Sequence, residues 1–430
     1  MLILRNDIHQ LQQRLDEYFG RTSDPAQVRD TVARVLADIE AGGDAAVRRY
    51  TQQFDGADVP PENLRVAPSE MEAALESLEP DERAAIEESI RNVQEFHRRT
   101  LPESWSHQNP HGATVGEVYY PVRRVGCYVP GGQVPLVSTV VMSCAIGKLA
   151  GVPEMAATTP PGPDGTIAAP LLATFQLCGV DEVYRVGGVQ AIGALAYGTQ
   201  TVPAVDKVFG PGNAYVMEAK RQVFGRVGVD LLPGPSEVMV IADATADPRY
   251  IAADLLAQAE HGSGKERIYL ALTEETILGE VQSAIETQAA RLTHGAAVEK
   301  ILQDNFVVIV GGLDLAVEAA NLIAPEHLEL QVDDAQIDPL TAAITTAGAI
   351  LQGHKSPTVL GDFTAGPSHT LPTGYSGRSF SGLRATDFLR RSSIVRYDAQ
   401  SLARARPTVA KFSAMEQLDA HGNSLEIRFS

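Results

Sequence analysis

Short runs rich in Val, Ile and Tyr alternate with helical stretches and Gly/Pro turns from about residue 113 onward. Between residues 128 and 237 the pattern predicts helices at 137–150, 167–178, 191–197 and 214–224, and strands at 155–159, 182–186, 207–209 and 228–231. A second block contains EVMVIAD, RIYLALT and FVVIV, separated by helical stretches. Such alternation is typical of parallel sheets covered by helices, a doubly wound α/β architecture.

The first hundred residues are predicted to be helical. The Ser-Asp-Pro segment at 23–25 has the residues of a helix cap and first turn, and apolar residues follow it at helical spacing. A further amphipathic helix is predicted from Pro80, with its apolar face formed by Ile86, Ile90, Val93 and Phe96.

These patterns predict an α/β fold with two Rossmann-like parallel-sheet domains that lack the GxGxxG fingerprint. We assign residues 1–22 to a helical N-terminal arm and residues 23–127 plus 238–383 to the first α/β domain. Residues 128–237 are assigned to the second domain, on the NAD side, and residues 384–430 to a small C-terminal tail domain. A chain of 430 residues is long enough for this division.

Charge and composition narrow the class of protein further. The formal net charge of −19 argues against a nucleic-acid surface, which would need clustered Lys and Arg. The sequence has no apolar stretch near the roughly 20 residues that span a bilayer, and MLILRNDIHQ lacks the apolar core of a secretory signal. We therefore expect a cytoplasmic protein.

The cysteines do not suggest a metal or disulfide site. Cys127, Cys144 and Cys178 form no CxxC pair and lie in apolar surroundings, as buried small hydrophobic residues do. Any metal ion should therefore be held by nitrogen and oxygen ligands.

Gln258 and His261 are three residues apart at the predicted end of a helix, where their side chains would share one face. Gly262 and Gly264 would end that helix just beyond the histidine. Two donor atoms so placed can bind one metal ion, but a histidine that caps a helix C-terminus explains the pattern as well.

The segment IAPEHLEL places Glu326 beside His327. A carboxylate and an imidazole together suit stepwise acid–base catalysis, because histidine titrates near neutral pH. An exposed polar pair at the entry to a strand is an equally good interpretation of these residues alone.

Two further segments contain candidate ligands. Asp362 and His369 lie in GDFTAGPSHTLPTG, a Gly/Pro-rich loop of the kind on which sites are often built, although a surface turn is the alternative. Glu416 and His421 lie in the tail MEQLDAHGN and would converge only if a helix ended between them. Together, Gln258, His261, Asp362 and His421 form a donor set that suits Zn²⁺.

Two glycine-rich segments are candidates for a cofactor site. GPGNAY at 210–215 has a GxG start without the third glycine of the dinucleotide fingerprint. GGVQAIG at 187–193 lies between a predicted strand and helix, where helix N–H groups can receive phosphate. Both segments can equally be tight strand-to-helix turns.

Six segments are too particular to be explained by fold class alone: GCYVPGGQVPLVSTVVM, VFGPGNAYV, VDLLPGPSEVMVIADATADPRYIAADLLAQAEH, APEHLEL, GDFTAGPSHTLPT and EQLDAH. In this order they resemble the histidinol dehydrogenase family, and the resemblance covers nearly the whole chain. It implies a cytoplasmic, zinc- and NAD-dependent alcohol dehydrogenase of histidine biosynthesis, with one Zn²⁺ per subunit and L-histidinol as substrate.

The resemblance also implies roles for individual residues. Zinc ligands fall on Gln258, His261, Asp362 and His421, and the catalytic pair on Glu326 and His327. Cofactor contacts fall on Tyr128, Gln190 and Asn213. Substrate contacts fall on Ser236, Gln258, His261, His327, Asp362, His369, Glu416 and His421. Members of the family are homodimers in which the tail with Glu416 and His421 completes the partner's site.

The sequence departs from the family pattern at a few positions without losing any of these residues. Pro233, Phe363 and Ser368 replace the usual Ala, Tyr and Asn, and the loop at 375–380 is unusual. One alternative is therefore a dehydrogenase of the same fold that acts on another small alcohol, such as a sulfonated diol. A catalytically silent metal-binding paralogue is another alternative.

Overall fold

The computed structural model describes residues 1–20, 25–131, 135–261 and 264–430. Its strands are β1 (Leu2–Arg5), β2 (Trp105–Gln108), β3 (Thr114–Pro121), β4 (Arg124–Tyr128), β5 (Glu154–Thr159), β6 (Glu182–Arg185), β7 (Lys207–Phe209), β8 (Gly228–Val229), β9 (Glu237–Ala242), β10 (Arg267–Leu272), β11 (Phe306–Val310), β12 (His327–Gln331), β13 (Ala349–Gln352) and β14 (Leu389–Arg396).

Its α-helices are α1 (Leu11–Phe19), α2 (Pro25–Asp55), α3 (Pro61–Leu64), α4 (Pro68–Glu76), α5 (Pro80–Arg98), α6 (Val137–Val140), α7 (Ile146–Leu149), α8 (Ala169–Leu177), α9 (Gly188–Tyr197), α10 (Ala214–Val223), α11 (Pro248–Ala259), α12 (Leu278–Ala289), α13 (Gly295–Asn305), α14 (Leu313–Ile323), α15 (Asp334–Ala343), α16 (Thr358–Phe363), α17 (Ala399–Met415) and α18 (Asp419–Glu426). A π-helical segment, Val141–Ala145, joins α6 to α7.

Two parallel sheets form the centre of the described chain. One has six strands in the order β1-β11-β10-β9-β12-β13, and the other has five in the order β6-β5-β4-β7-β8. The inner strands β4, β9, β11 and β12 are buried along their whole length, as expected for parallel strands with helices on both faces. The predicted α/β class with two Rossmann-like sheets is confirmed.

The predicted elements of the five-stranded sheet are also present, with bounds that differ by at most three residues. The largest difference lies in the helix predicted at 137–150, which the π-helical turn interrupts. Such turns insert one extra residue per turn and are frequent at functional sites. Sequence periodicity does not detect them, because the buried segment is apolar on every side.

Helices α2 to α5 pack on the five-stranded sheet. The apolar face of α2 joins a core with α9 and Tyr184, and that of α5 joins a core with β4 and the π-helical segment. The predicted first domain groups residues 23–127 with 238–383. Helical periodicity shows that a face is apolar, but it does not show which sheet buries that face. The domain boundaries themselves stay a prediction.

The start of α5 at Pro80 agrees with the prediction, and its buried residues are Ile86, Ile90, Val93 and His97. Phe96 was predicted on this face but is 42% exposed, whereas His97 is fully buried. The stripe continues at a spacing of four residues beyond Val93, which selects the histidine. The cap predicted at Ser23 and Asp24 lies outside the described residues.

The two ends of the chain contribute strands to different sheets. Residues 1–20 contain α1 and also β1, which pairs in parallel with β11 and extends the six-stranded sheet. The C-terminal segment forms β14, which pairs with β3 in an antiparallel sheet that also contains β2, and then α17 and α18, which pack together. Within the described residues, no helix is both long and apolar enough to cross a membrane.

Candidate active site

The predicted catalytic pair lies at the amino end of a central strand. β12 begins at His327, between β9 and β13, and Glu326 immediately precedes it. Ala324 ends α14 with a positive φ of 51°, and Pro325 follows, so the chain turns sharply into the sheet. Glu326 is 7% exposed and His327 is 3% exposed. The pair is therefore buried, and the interpretation as an exposed polar pair is wrong.

Glu326 is fixed by the neighbouring strand. Its Oε2 accepts a hydrogen bond of 2.9 Å from the backbone N–H of Glu237, the first residue of β9. Ser236 directly precedes this donor, which places it beside Glu326. Burial raises the pKa of Glu326 well above its usual range, and the charges of Glu237 and Asp362 raise it further. A positive charge bound nearby would oppose this shift.

His327, His369 and Asp362 form the centre of the site. Asp362 Oδ1 lies 3.8 Å from His327 Nε2 and 3.8 Å from His369 Nδ1. Burial lowers the pKa of His327 to about 3 and that of His369 to about 4, since desolvation opposes protonation. Both imidazoles are therefore neutral at pH 7 and can accept a proton or bind a metal ion.

The predicted pair Gln258 and His261 approaches this centre from the end of α11. Gln258 is 3% exposed, and its Nε2 has no hydrogen-bond partner among the described residues. His261 exposes much of its surface, but the surrounding protein still lowers its pKa by desolvation. A charge on His261 would lower the pKa of both His327 and His369, so the three imidazoles lie near one another.

Buried carboxyl groups lie beneath these residues. Glu329 accepts hydrogen bonds of 2.7 Å from the N–H and the hydroxyl of Thr358, and Gln331 bridges Glu329 to Asp254 with bonds of 3.0 and 2.7 Å. Burial and the Glu329 charge raise the pKa of Asp254 to about 8 and that of Asp362 to about 7. Several buried carboxyl groups so close together favour the binding of a cation.

The donor set within one chain is incomplete. Among the described residues, no three His, Cys, Asp or Glu side chains are grouped so as to hold a metal ion. His421 lies on α18 and Glu416 follows α17, and both are exposed. No described hydrogen bond or ion pair joins either residue to Asp362. The structure thus links His261, Asp362, His327 and His369, with Gln258 buried one helical turn before His261, and shows no such link to Glu416 or His421 among the described contacts.

Ser368 does not present a free hydroxyl to this site. It is 4% exposed, its Oγ donates to the Met142 carbonyl at 3.0 Å, and it accepts from the Thr370 N–H at 3.1 Å. Next to it, Thr139 Oγ1 lies 3.5 Å from His369 Nε2. These contacts tie the loop with His369 to α6 and the π-helical segment, which follow β4. A cavity of about 340 Å³ borders His327 and His369.

The predicted cofactor residues lie at the carboxyl edge of the five-stranded sheet. Tyr128 ends β4, and its hydroxyl accepts from the Gly188 N–H at 3.3 Å. Gln190 follows in the first turn of α9 and is fully buried. Asn213 caps α10, with its Oδ1 accepting from the N–H groups of Tyr215 and Val216 at 3.0 and 3.1 Å. Ligands of open α/β sheets bind at this edge.

A buried ion pair fixes the glycine-rich loop that contains Asn213. Lys220 pairs with Asp230, and both side chains are at most 1% exposed. Lys220 Nζ donates to the Gly210 carbonyl at 2.8 Å, and Asp230 Oδ2 accepts from the Gly210 N–H at 2.8 Å. Gly210 has a φ of +113°, and a side chain there would collide with the Tyr128 carbonyl.

Several of these residues were not predicted: Thr139, Lys220, Asp230, Glu237, Asp254 and Glu329. No spacing rule along the sequence marks any of them. Only the run of charged and amide residues EHLELQ along a buried strand could have indicated Glu329 and Gln331.

Two parallel sheets covered by helices define a Rossmann-like α/β fold, with the predicted catalytic pair at the edge of one sheet and the predicted cofactor residues at the edge of the other. Comparisons with known proteins identify the family within this fold class. The histidinol dehydrogenase family model matches residues 20–429. The chain belongs to the histidinol dehydrogenase family, a family of oxidoreductases.

Individual relatives match over almost their whole length. The chain is 41% identical over 433 residues to a histidinol dehydrogenase of Synechococcus sp., covering 100% of this chain and 99% of the relative. It is 42% identical to that of Syntrophotalea carbinolica, covering 94% and 93%. The crystal structure of histidinol dehydrogenase from Elizabethkingia anophelis superposes with a TM-score of 0.93 at 32% identity, covering 100% of this chain and 98% of that one.

Proposed function

We propose that this chain oxidises L-histidinol through L-histidinal to L-histidine with two NAD⁺, the last steps of histidine biosynthesis. The observation that carries the proposal is the buried group of His327, His369 and Asp362, in which Asp362 Oδ1 lies 3.8 Å from each imidazole. Family membership supports the substrate, and the cavity beside these residues is large enough for a small amino alcohol.

The residues present suit a zinc ion. Gln258 has a buried side-chain amide whose oxygen can bind a metal ion, His261 and Asp362 offer an imidazole and a carboxylate, and burial raises the pKa of Asp362 to about 7, which a bound cation would oppose. Gln258, His261 and Asp362 of one chain would hold Zn²⁺ together with His421 from a second copy of the chain. When bound, zinc would orient the substrate through its imidazole and amine nitrogens.

His327 acts as the general base in both oxidations. Its imidazole is neutral, so it can accept the hydroxyl proton of the alcohol and later that of the aldehyde hydrate. The cofactor, held near Tyr128, Gln190 and Asn213, supplies the hydride acceptor for each step. Glu326 takes a proton from the water that adds to the aldehyde, and the Glu237 N–H fixes the carboxylate for this role.

Substrate contacts are assigned to Ser236, His327, His369 and Glu416 in addition to the metal ligands. Ser236 and His369 adjoin the catalytic pair within one chain, whereas Glu416 would come from a second copy. Retention of the aldehyde in this buried site would protect it from side reactions. Because the Ser368 hydroxyl is bound to backbone groups, its replacement of the usual Asn gives no support to a different alcohol.

The test is a count of NADH formed per L-histidinol consumed, before and after chelation. We expect two NADH per histidinol, loss of activity on chelation and recovery with Zn²⁺. A matched control is His9→Ala, which removes an exposed histidine remote from the site and should keep full activity. A folded, zinc-loaded protein that forms no NADH from histidinol would disprove the proposed reaction.

A further inference from the structure

Asp55 is an acidic side chain at the cofactor edge that neither the sequence patterns nor the resemblance assigned. It is the last residue of α2, and its Oδ2 accepts a hydrogen bond of 2.9 Å from Gln190 Nε2. The carboxyl group is partly buried, and this burial raises its pKa to about 6. Its charge also contributes to the raised pKa of Tyr128, which places all three side chains in one cluster.

This cluster has unused hydrogen-bonding capacity. Gln190 is fully buried, and its Oε1 has no partner among the described residues. Asp55 Oδ1 likewise receives no hydrogen bond from the described chain. The Tyr128 hydroxyl accepts from the Gly188 N–H, so its own proton remains available to a ligand. The cluster therefore offers two oxygen acceptors and one hydroxyl donor, which suits a ligand with neighbouring hydroxyl groups.

The charge of the cluster is unfavourable for phosphate. The N-terminus of α9 would normally attract an anion, but the Gly188 N–H is taken by Tyr128 and the Asp55 carboxylate lies beside the first turn. The nearest arginines of α2 are engaged elsewhere, since Arg48 pairs with Asp58 at 2.6 Å and Arg49 with Asp38 at 2.9 Å. Neither of these two arginines is thus free to balance a phosphate at this point.

We propose that Asp55 is a specificity-determining residue that selects the unphosphorylated dinucleotide, NAD⁺, over NADP⁺. Asp55 Oδ1 and Gln190 Oε1 accept hydrogen bonds from the adenosine ribose hydroxyls. A 2′-phosphate would bring a dianion against the carboxylate and remove the hydroxyl donor, so it is rejected. This inference rests on the proposed function, because it assumes that a nicotinamide dinucleotide binds at this edge.

The test compares binding of NADH and NADPH, measured by fluorescence titration without the alcohol substrate. The wild-type chain should bind NADH more tightly. Asp55→Asn keeps one oxygen acceptor for Gln190, removes the charge and replaces the Oδ1 acceptor by an NH2 donor that can face a phosphate, so the NADH-to-NADPH affinity ratio should fall by about tenfold or more. Asp55→Ser should lower the ratio in the same direction and provides a second variant if the first folds poorly.

The matched control is Asp58→Asn, which removes a carboxylate from an exposed ion pair with Arg48 a few residues away and should leave the ratio unchanged. A normal NADH affinity with an unchanged ratio in both Asp55 variants would show that Asp55 only links two helices, and would overturn this inference alone. Equal wild-type affinity for the two dinucleotides would overturn it as well. A wild-type chain that binds neither would overturn the proposed function with it.

Discussion

At the scale of single residues, burial decides what the candidate catalytic groups can do. Histidine and glutamate in water titrate near 6.5 and 4.3. In this chain, burial holds the pKa of His327 at about 3 and raises that of Glu326 above its usual range. A neutral imidazole can accept a proton at once, whereas the carboxyl group must first be ionised by nearby positive charge. Replacement of His327 and replacement of Glu326 should therefore affect the two oxidation steps differently.

We expect His327→Ala to slow both oxidations by about a hundredfold to ten-thousandfold, the usual contribution of a general base. Glu326→Gln should leave oxidation of histidinol to the aldehyde nearly intact and slow only the water-dependent second step. Stopped-flow NADH formation from histidinol and from histidinal would separate the two steps. Equal loss of both steps in Glu326→Gln would contradict the roles assigned to this pair.

His97, which lies outside the candidate site, allows a test of how burial of a histidine affects the pH dependence of stability. It is fully buried, neither ring nitrogen has a partner among the described residues, and burial lowers its pKa to about 4. Because this pKa lies below the unfolded value of about 6.5, the unfolded chain binds more protons in this window. The resulting stability is full above about pH 6.5 and is lost as the pH falls towards 4.

His97→Leu should therefore remove part of the acid sensitivity. We expect the free energy of unfolding of the wild-type chain to fall by about 2 kcal/mol more than that of the variant between pH 7 and pH 5. Urea titrations at both pH values would measure this difference. His9→Leu, at an exposed position, should behave as the wild-type chain does. An equal pH dependence in His97→Leu and wild type would show that His97 is protonated without cost.

At the scale of elements, the predicted site residues lie at opposite ends of the strands in the two parallel sheets. Glu326 and Ser236 lie at the amino ends of β12 and β9, whereas Tyr128 lies at the carboxyl end of β4. The loops between the sheets are tied by specific bonds, such as that from Ser368 to the π-helical segment. Rigid elements of this kind hold catalytic groups in place better than loops alone.

The ion pair of Lys220 and Asp230 should be essential to one of these elements. Lys220→Met leaves Asp230 buried without its partner and frees the Gly210 carbonyl. Breaking a buried pair in this way costs about 3–5 kcal/mol, and the loop that contains Asn213 should lose its fixed position. Thermal denaturation should show the destabilisation, and a raised KM for NAD⁺ should accompany it in the surviving enzyme.

Lys300→Met is a suitable control, because that lysine is exposed on α13, which packs on the six-stranded sheet away from the ion pair. Its replacement should leave the KM for NAD⁺ unchanged. A Lys220→Met enzyme with wild-type stability and KM would show that the loop does not depend on the ion pair.

At the scale of the whole molecule, no described contact joins Glu416 or His421 in the tail to the group of His327, His369 and Asp362, and both tail residues are exposed. Several large apolar side chains on its helices and on β14 are exposed, among them Val395 at 67%, Phe412 at 54% and Met415 at 70%. An apolar surface beside unused site residues suits contact with a second copy. The proposed homodimer would bury this surface and complete both sites.

Mixing two inactive variants tests this arrangement. His327→Ala and His421→Ala should each be inactive alone, because each removes one member of every site. After unfolding and refolding as a mixture, half of the dimers would combine the two chains and contain one intact site, restoring about a quarter of wild-type activity. The same treatment of either variant alone is the control. Failure of the mixture to recover activity would show that each chain supplies its own site.

The fold class and many of the candidate site residues could be predicted from local sequence patterns. The alternation of apolar strands and amphipathic helices predicted the α/β class, because burial of a parallel sheet on both faces demands that pattern. The segments around Gln258, Glu326 and Asp362 indicated these residues as site candidates through the chemical type of their side chains. The sequence pattern did not predict β12 and β13. In β12, the polar residues of EHLELQ, which only the site requires, interrupt the apolar run that marks the other buried strands.

The tertiary structure alone decided which of these residues meet. His327, Asp362 and His369 come together because β12, α16 and the following loop converge at one sheet edge, and no spacing along the chain encodes that convergence. It also decided the pKa values, since burial depends on every neighbour in space. Asp55 reaches Gln190 across 135 residues of sequence because α2 packs on α9. Contacts at such separations arise from packing, which local patterns do not contain.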